Sequence, residues 1–125
     1  MLKKILVVDD NAVIRRLLYT LFKSEVDLDV CGEAANGKEA IERAQELHPD
    51  VIVLDLSMPV MNGLDAARIL NGLMPMVPLI MFSEYGEAFT ESAARSAGIS
   101  AMVSKFAHVS VLVEKVRLLC RVNAA

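Results

Sequence analysis

Short, unbroken apolar runs recur along this chain, at Ile5–Val8, Val51–Leu54, Leu79–Phe82 and, more briefly, Ala101–Val103. Runs of this length without polar alternation suit strands covered on both faces. Between them the period changes to that of a helix. Ile14, Leu17, Leu18, Leu21 and Phe22 form one stripe; Ala40, Ile41, Ala44 and Leu47 form another behind Asn36, a helix-capping residue type. Pro59 and Asn62–Gly63 make a turn before Leu64, Ala67, Leu70 and Leu73. Glu87 to Ala97 reads as a helix stopped by Gly98, and Val109, Leu112, Val113, Val116 and Leu119 stripe the closing helix. Val30–Cys31 is a weaker strand. Five strands alternating with five helices predict an α/β fold, a parallel sheet with helices on both faces.

Composition narrows the class. The 125 residues are 54% hydrophobic and 23% charged, which suits one globular domain and argues against disorder. Thirteen basic against 16 acidic residues give a net charge of −3, so no basic field favours a nucleic-acid backbone. The apolar runs fall far short of the ~18 residues of a membrane span, and Asp9–Asp10 interrupts the first run too early for a signal peptide. A soluble, cytoplasmic protein is expected. Cys31 and Cys120, far apart and without neighbouring histidines, read as reduced core residues.

In open parallel sheets, ligands bind beyond the carboxyl ends of the strands. Asp9–Asp10 follow the first strand, Asp55 ends the third, Ser83 follows the fourth and Lys105 the fifth. Three carboxylates, a hydroxyl and an ammonium therefore emerge at one edge. Two like charges about 4 Å apart repel by roughly 4 kcal/mol at an effective dielectric near 20. Lys105 and a divalent ion together would neutralise three acids, and a hard cation using few carboxylates suits Mg²⁺. Such a site could take a phosphoryl group, and Asp is an established nucleophile in acyl phosphate chemistry. On spacing alone, Asp9–Asp10 equally suit a turn and helix cap, and a lone Ser83 or Lys105 suits a solvated loop. Asp55 is harder to dismiss, because an unpaired buried carboxylate is costly.

Leu6–Asp10, Asp55-Leu-Ser-Met-Pro59 with Asn62–Gly63, Pro78–Ser83, and Ala97–Gly98 leading to Lys105 resemble the receiver domain of bacterial two-component response regulators. The likeness runs from about residue 3 to 121, within a single receiver domain spanning 1–125 and without an output domain. It implies a flavodoxin-like (βα)5 fold of strand order 2-1-3-4-5. It further implies that Asp55 is the phosphoacceptor for a sensor histidine kinase or phosphotransfer protein. Asp10 would bind Mg²⁺ directly, Asp9 through water or as a second acid, and Ser57 through its backbone carbonyl. Ser83 and Lys105 would bind phosphoryl oxygens and change the face made by the fourth helix, fifth strand and fifth helix. That face would meet a downstream effector, a missing output domain, or a second copy in a homodimer. Val30–Gly37 most resembles receivers that precede DNA-binding helix-turn-helix domains.

Three positions depart from the family pattern. Met102 stands where Tyr or Phe is usual, so an aromatic readout is lost. Phe106 replaces the usual Pro after the lysine, and a trans bond is expected there because cis costs roughly 2.5–4 kcal/mol before a non-proline residue. Glu84 follows Ser83 where a small residue is usual and would gate the site, with Tyr85 shielding an acyl phosphate from water. These departures also favour an alternative, a degenerate receiver acting as a phosphorylation-independent interaction module. No enzyme activity is expected beyond self-catalysed phosphotransfer and autodephosphorylation; Ser57 sits where an aspartyl phosphatase places a second acid. His48 and His108 read as surface residues, and Glu114, Lys115, Arg117 and Arg121 as a solvated helix face.

Overall fold

In the computed structural model, which describes residues 2–84 and 88–123, strands and helices alternate strictly. They are β1 (Lys3–Val8), α1 (Ala12–Lys23), β2 (Leu28–Ala34), α2 (Gly37–Leu47), β3 (Val51–Leu54), α3 (Gly63–Leu73), β4 (Leu79–Ser83), α4 (Ala88–Ser96), β5 (Ala101–Ser104) and α5 (Val109–Asn123). All pairings are parallel and the order is β2-β1-β3-β4-β5, the flavodoxin-like arrangement expected.

Successive strand side chains point to opposite faces, so each apolar run feeds two cores. Leu6, Val8, Ile52, Leu54, Leu79 and Met81 pack with Ala40, Ala44, Ala66, Ala67, Leu70 and Ala94 of α2, α3 and α4. Ile5, Val7, Val51, Val53, Ile80 and Phe82 pack with Leu18, Phe22, Leu112, Val113, Val116 and Cys120 of α1 and α5. Small alanines on the first side let three helices lie close to the sheet. Each fully buried Leu or Ile contributes on the order of 2 kcal/mol, so this double layer fixes the strand ends that carry the polar residues.

Asparagines start three helices. Asn11 accepts from the Val13 and Ile14 amides, Asn36 from Glu39, and Asn62 from Asp65, each satisfying donors that a first turn leaves orphaned. Gly98, at φ +92°, ends the α4 region as expected, in a conformation that L side chains resist. The described part of α4 begins at Ala88; Glu87 lies outside the described residues.

Several expectations need correction. β2 is seven residues long rather than the two apolar ones, because as an edge strand it tolerates Asp29, Gly32 and Glu33. Its register slips by one residue between Ile5 and Leu6. Leu17 and Leu73 are each 51% exposed and Val109 is 38% exposed. The sheet covers only a narrow stripe of each helix, and these three sit beside it or at a helix end. Arg117 does not belong to a solvated face. Its guanidinium donates to both Asp27 carboxylate oxygens (2.9 and 2.8 Å) and to Glu25 Oε1 (2.6 Å), tying α5 to the α1–β2 connection. The hydrogen bonds it donates to Asp27 and Glu25 hold its proton above the ordinary arginine range. The Arg121 side chain lies outside the described ones. Among the described residues, no helix is long and apolar enough to cross a membrane.

Gly63 opens α3 directly beneath Asp55. A Cβ at this position would overlap the Asp55 carbonyl oxygen, and the Gly63 amide donates to Leu56 O at 2.8 Å. Gly63→Ala must push the helix away, at a cost of about 1–3 kcal/mol. The expected drop in Tm is about 5 °C or more, read by circular dichroism; an unchanged Tm would show that the loop yields freely.

Candidate functional site

Four of the five strands, β1, β3, β4 and β5, deliver polar residues to the same edge. Asp9 and Asp10 leave β1, Asp55 leaves β3, Ser83 closes β4 and Lys105 follows β5. Asp9, Asp55 and Ser83 are buried, at 2%, 7% and 3% exposure, whereas Asp10 is exposed. One carboxylate oxygen from each of Asp9, Asp10 and Asp55 lies within 4.8 Å of the others. Lys105 Nζ stands 2.8 Å from Asp9 Oδ2 and 3.4 Å from Asp55 Oδ1, and 5.9 Å from the Phe82 ring centre. The sequence-derived quintet thus converges on one cleft of about 240 Å³, shared with Asn11, Ile14, Ser57 and Glu84.

The turn reading of Asp9–Asp10 is partly right. Asn11, rather than either aspartate, caps α1. Asp9 Oδ1 nevertheless accepts from the Asn11 amide at 2.9 Å, so this carboxylate both shapes the turn and faces Lys105. Asp55 Oδ1 accepts from the Leu56 amide at 2.9 Å. No hydrogen bond among the described residues reaches Oδ2.

The charges are unequally balanced. Three carboxylates against one ammonium leave about two negative charges, the complement of one divalent ion. Burial first, and the Asp9 charge second, push the Asp55 carboxyl above its ordinary value in spite of Lys105. Burial alone would lower Lys105. The hydrogen bond to Asp9 and the charges of Asp9 and Asp55 outweigh it, so the ammonium holds its proton above the usual lysine range. The donor set is hard oxygen only, which suits Mg²⁺.

The loop after β3 is tightly turned. Val60 has φ +67°, rare for a β-branched residue, and the Met61 amide donates to Pro59 O at 2.7 Å across it. Gly37 N–H in turn donates to Met61 O at 3.1 Å, fastening this loop to α2.

Of the proposed switch residues, Glu84 is exposed at the cleft, and Tyr85 lies outside the described residues. Phe106 is 81% exposed. Its amide donates to Ser104 Oγ at 3.0 Å, and the Lys105–Phe106 bond is trans, as expected. Met102 is partly buried and lines a larger groove of about 520 Å³ between α4, β5 and α5; Ser83 borders both this groove and the acidic cleft. His48 and His108 are exposed, the latter against Ser110. Arg15 is the residue that sequence reasoning missed. It sits among apparent surface positions, yet its Nη1 donates to the Asp9 carbonyl at 2.7 Å.

A family model for the response regulator receiver domain matches residues 5–117. The chain belongs to that family. A protein-glutamate methylesterase/protein-glutamine glutaminase of Pyrococcus horikoshii is 52% identical over 80 residues, covering 64% of this chain and 22% of that protein. Its counterpart in Alkalilimnicola ehrlichii is 41% identical over 115 residues, covering 90% of this chain and 29% of that protein. The chain therefore spans less than a third of the length of these curated relatives. Among solved structures, the response regulator domain of Thermotoga maritima CheB superposes with a TM-score of 0.88 at 34% identity, covering 97% of this chain and 98% of that one. A LuxR-family two-component response regulator from an Aurantimonas species gives 0.92 at 26% identity, covering 97% and 86%.

The raised Asp55 value has a sign that can be measured. The folded receiver holds the Asp55 proton more tightly than the unfolded chain does. This residue's contribution is therefore favourable below about pH 4 and is lost as pH rises through its raised value. Without divalent ions, Asp55→Asn is expected to be more stable than wild type at pH 7. The gap should close toward pH 4. Urea titrations at both pH values test this, and an equal gap at the two would refute it.

Proposed function

We propose that this receiver is the phosphoacceptor switch of a two-component phosphorelay, with Asp55 as the residue modified. The observation that carries the reading is the clustering of Asp9, Asp10 and Asp55 within 4.8 Å around the Lys105 ammonium. In this reading Asp55 Oδ2 attacks the phosphorus of a phosphohistidine on a sensor kinase or phosphotransfer protein. The P–N bond breaks, its electron pair leaves with the imidazole, and an acyl phosphate forms. Asp10, Asp55 and the Ser57 carbonyl would hold Mg²⁺, with Asp9 acting through water. When bound, the ion neutralises charge on the incoming phosphoryl group. Lys105 keeps its proton and turns an N–H from the carboxylates toward a phosphoryl oxygen, and the Ser83 hydroxyl donates to another.

Ser83 borders the groove between α4, β5 and α5, so its movement toward a phosphoryl group would alter that face. Met102, rather than an aromatic ring, would repack there. The methylesterase relatives support an effector of that kind as one output, whether a separate protein or a further domain. A homodimer through the same face is the other. The chain's own chemistry is confined to phosphotransfer and autodephosphorylation, in a cytoplasmic setting.

Incubation with a small acyl phosphate and Mg²⁺, followed by intact-mass measurement, tests the reading. A slowly decaying adduct absent from Asp55→Asn is expected. Binding of Mg²⁺ without any adduct would establish the phosphorylation-independent module instead, and phosphate release in excess would establish an enzyme. Glu84 narrows the cleft with a fourth negative charge. Glu84→Ala should speed labelling severalfold, and an unchanged rate would remove Glu84 as a gate.

A further inference from the structure

We propose that Arg15 is a positioning residue for cation binding, holding the β1–α1 turn in the shape that presents Asp10 to the metal. The inference rests on the reading of the acidic cleft as a Mg²⁺ site. Arg15 Nη1 donates to the Asp9 carbonyl at 2.7 Å, and its Nε donates to Glu33 Oε1 on β2 at 3.1 Å. The side chain is only 20% exposed, so this fork spans from α1 to the edge strand across the turn.

Every polar group of Asp9 is engaged. Its N–H donates to Ala34 O at 3.0 Å and its carbonyl takes Arg15. Oδ1 takes the Asn11 amide and Oδ2 takes Lys105. Asp10 is the opposite case, exposed and with no side-chain hydrogen bond among the described residues. The Asp9 carbonyl and the Asp10 N–H belong to one planar peptide unit. Fixing the carbonyl therefore fixes the direction in which Asp10 leaves the strand. Repulsion from Asp9 and Asp55 would otherwise swing the exposed Asp10 toward water. A lysine carries the same charge but lacks the planar fork that serves both acceptors at once.

Positioning and charge make opposite predictions, which renders the idea testable without any turnover. Removing a nearby positive charge should, by electrostatics alone, tighten binding of a cation. Loss of positioning should weaken it, by about tenfold for a partner one shell removed from the ion. Titration of Mg²⁺ into wild type, Arg15→Gln and Arg15→Lys, followed through the backbone amide signals of Asp10 and Asn11, separates the two. We expect the Kd to rise about tenfold for Arg15→Gln and severalfold for Arg15→Lys. An unchanged Kd for Arg15→Lys, or an unchanged or lower one for Arg15→Gln, overturns the proposal. Should Arg15→Gln fail to fold, Arg15→Lys decides alone. If wild type binds no Mg²⁺ at all, the reading of the cleft falls and this inference with it, an outcome distinct from equal binding by all three proteins.

Discussion

Mutual repulsion of three carboxylates is the constraint around which this receiver is arranged. Asp9, Asp10 and Asp55 would not share one strand-end cleft unless something opposed their charge, and Lys105 supplies only part of that opposition. The remainder comes from rigidity. The aspartates extend from strands whose apolar residues are buried on both faces, so retreat would cost core contacts. Asp55 shows the tension most clearly, since burial and Asp9 raise its proton affinity while Lys105 lowers it. The resting charges leave the cleft net negative, so its electrostatics favour an added cation.

The alternation of apolar runs and helical stripes made the fold legible, since a parallel α/β sheet has few topologies that obey chain-connection rules. What periodicity could not show was where the buried stripe ends. Leu17 and Leu73 fit the pattern yet lie exposed, because helical spacing ranks residues by angle and the sheet accepts only a narrow sector. β2 was underestimated for the converse reason. An edge strand needs few apolar residues, so its backbone pairing exceeds its hydrophobic signature.

The polar quintet was legible because strand ends in parallel sheets share an edge, so one-dimensional position translated into three-dimensional neighbourhood. Arg15 and Arg117 escaped for a common reason. Both are long cations on helices whose partners lie on other elements, Glu33 and the Asp9 carbonyl for one, Glu25 and Asp27 for the other. Nothing in helical spacing reveals a reach across to a neighbouring strand or loop. Asn11 carried a signal, as a capping residue type directly after the acid pair, although the acids themselves competed for that role.

The Arg117 clamp has a mechanical consequence. It grips α5 eight residues beyond the start of that helix at Val109, about 12 Å along its axis. The near end of α5 adjoins the loop that carries Lys105 and Phe106. With Arg117 anchored on Asp27 and Glu25, any displacement of the lysine loop would reach α5 at its free end, where tilting about that anchor would strain fewer polar contacts than sliding past it.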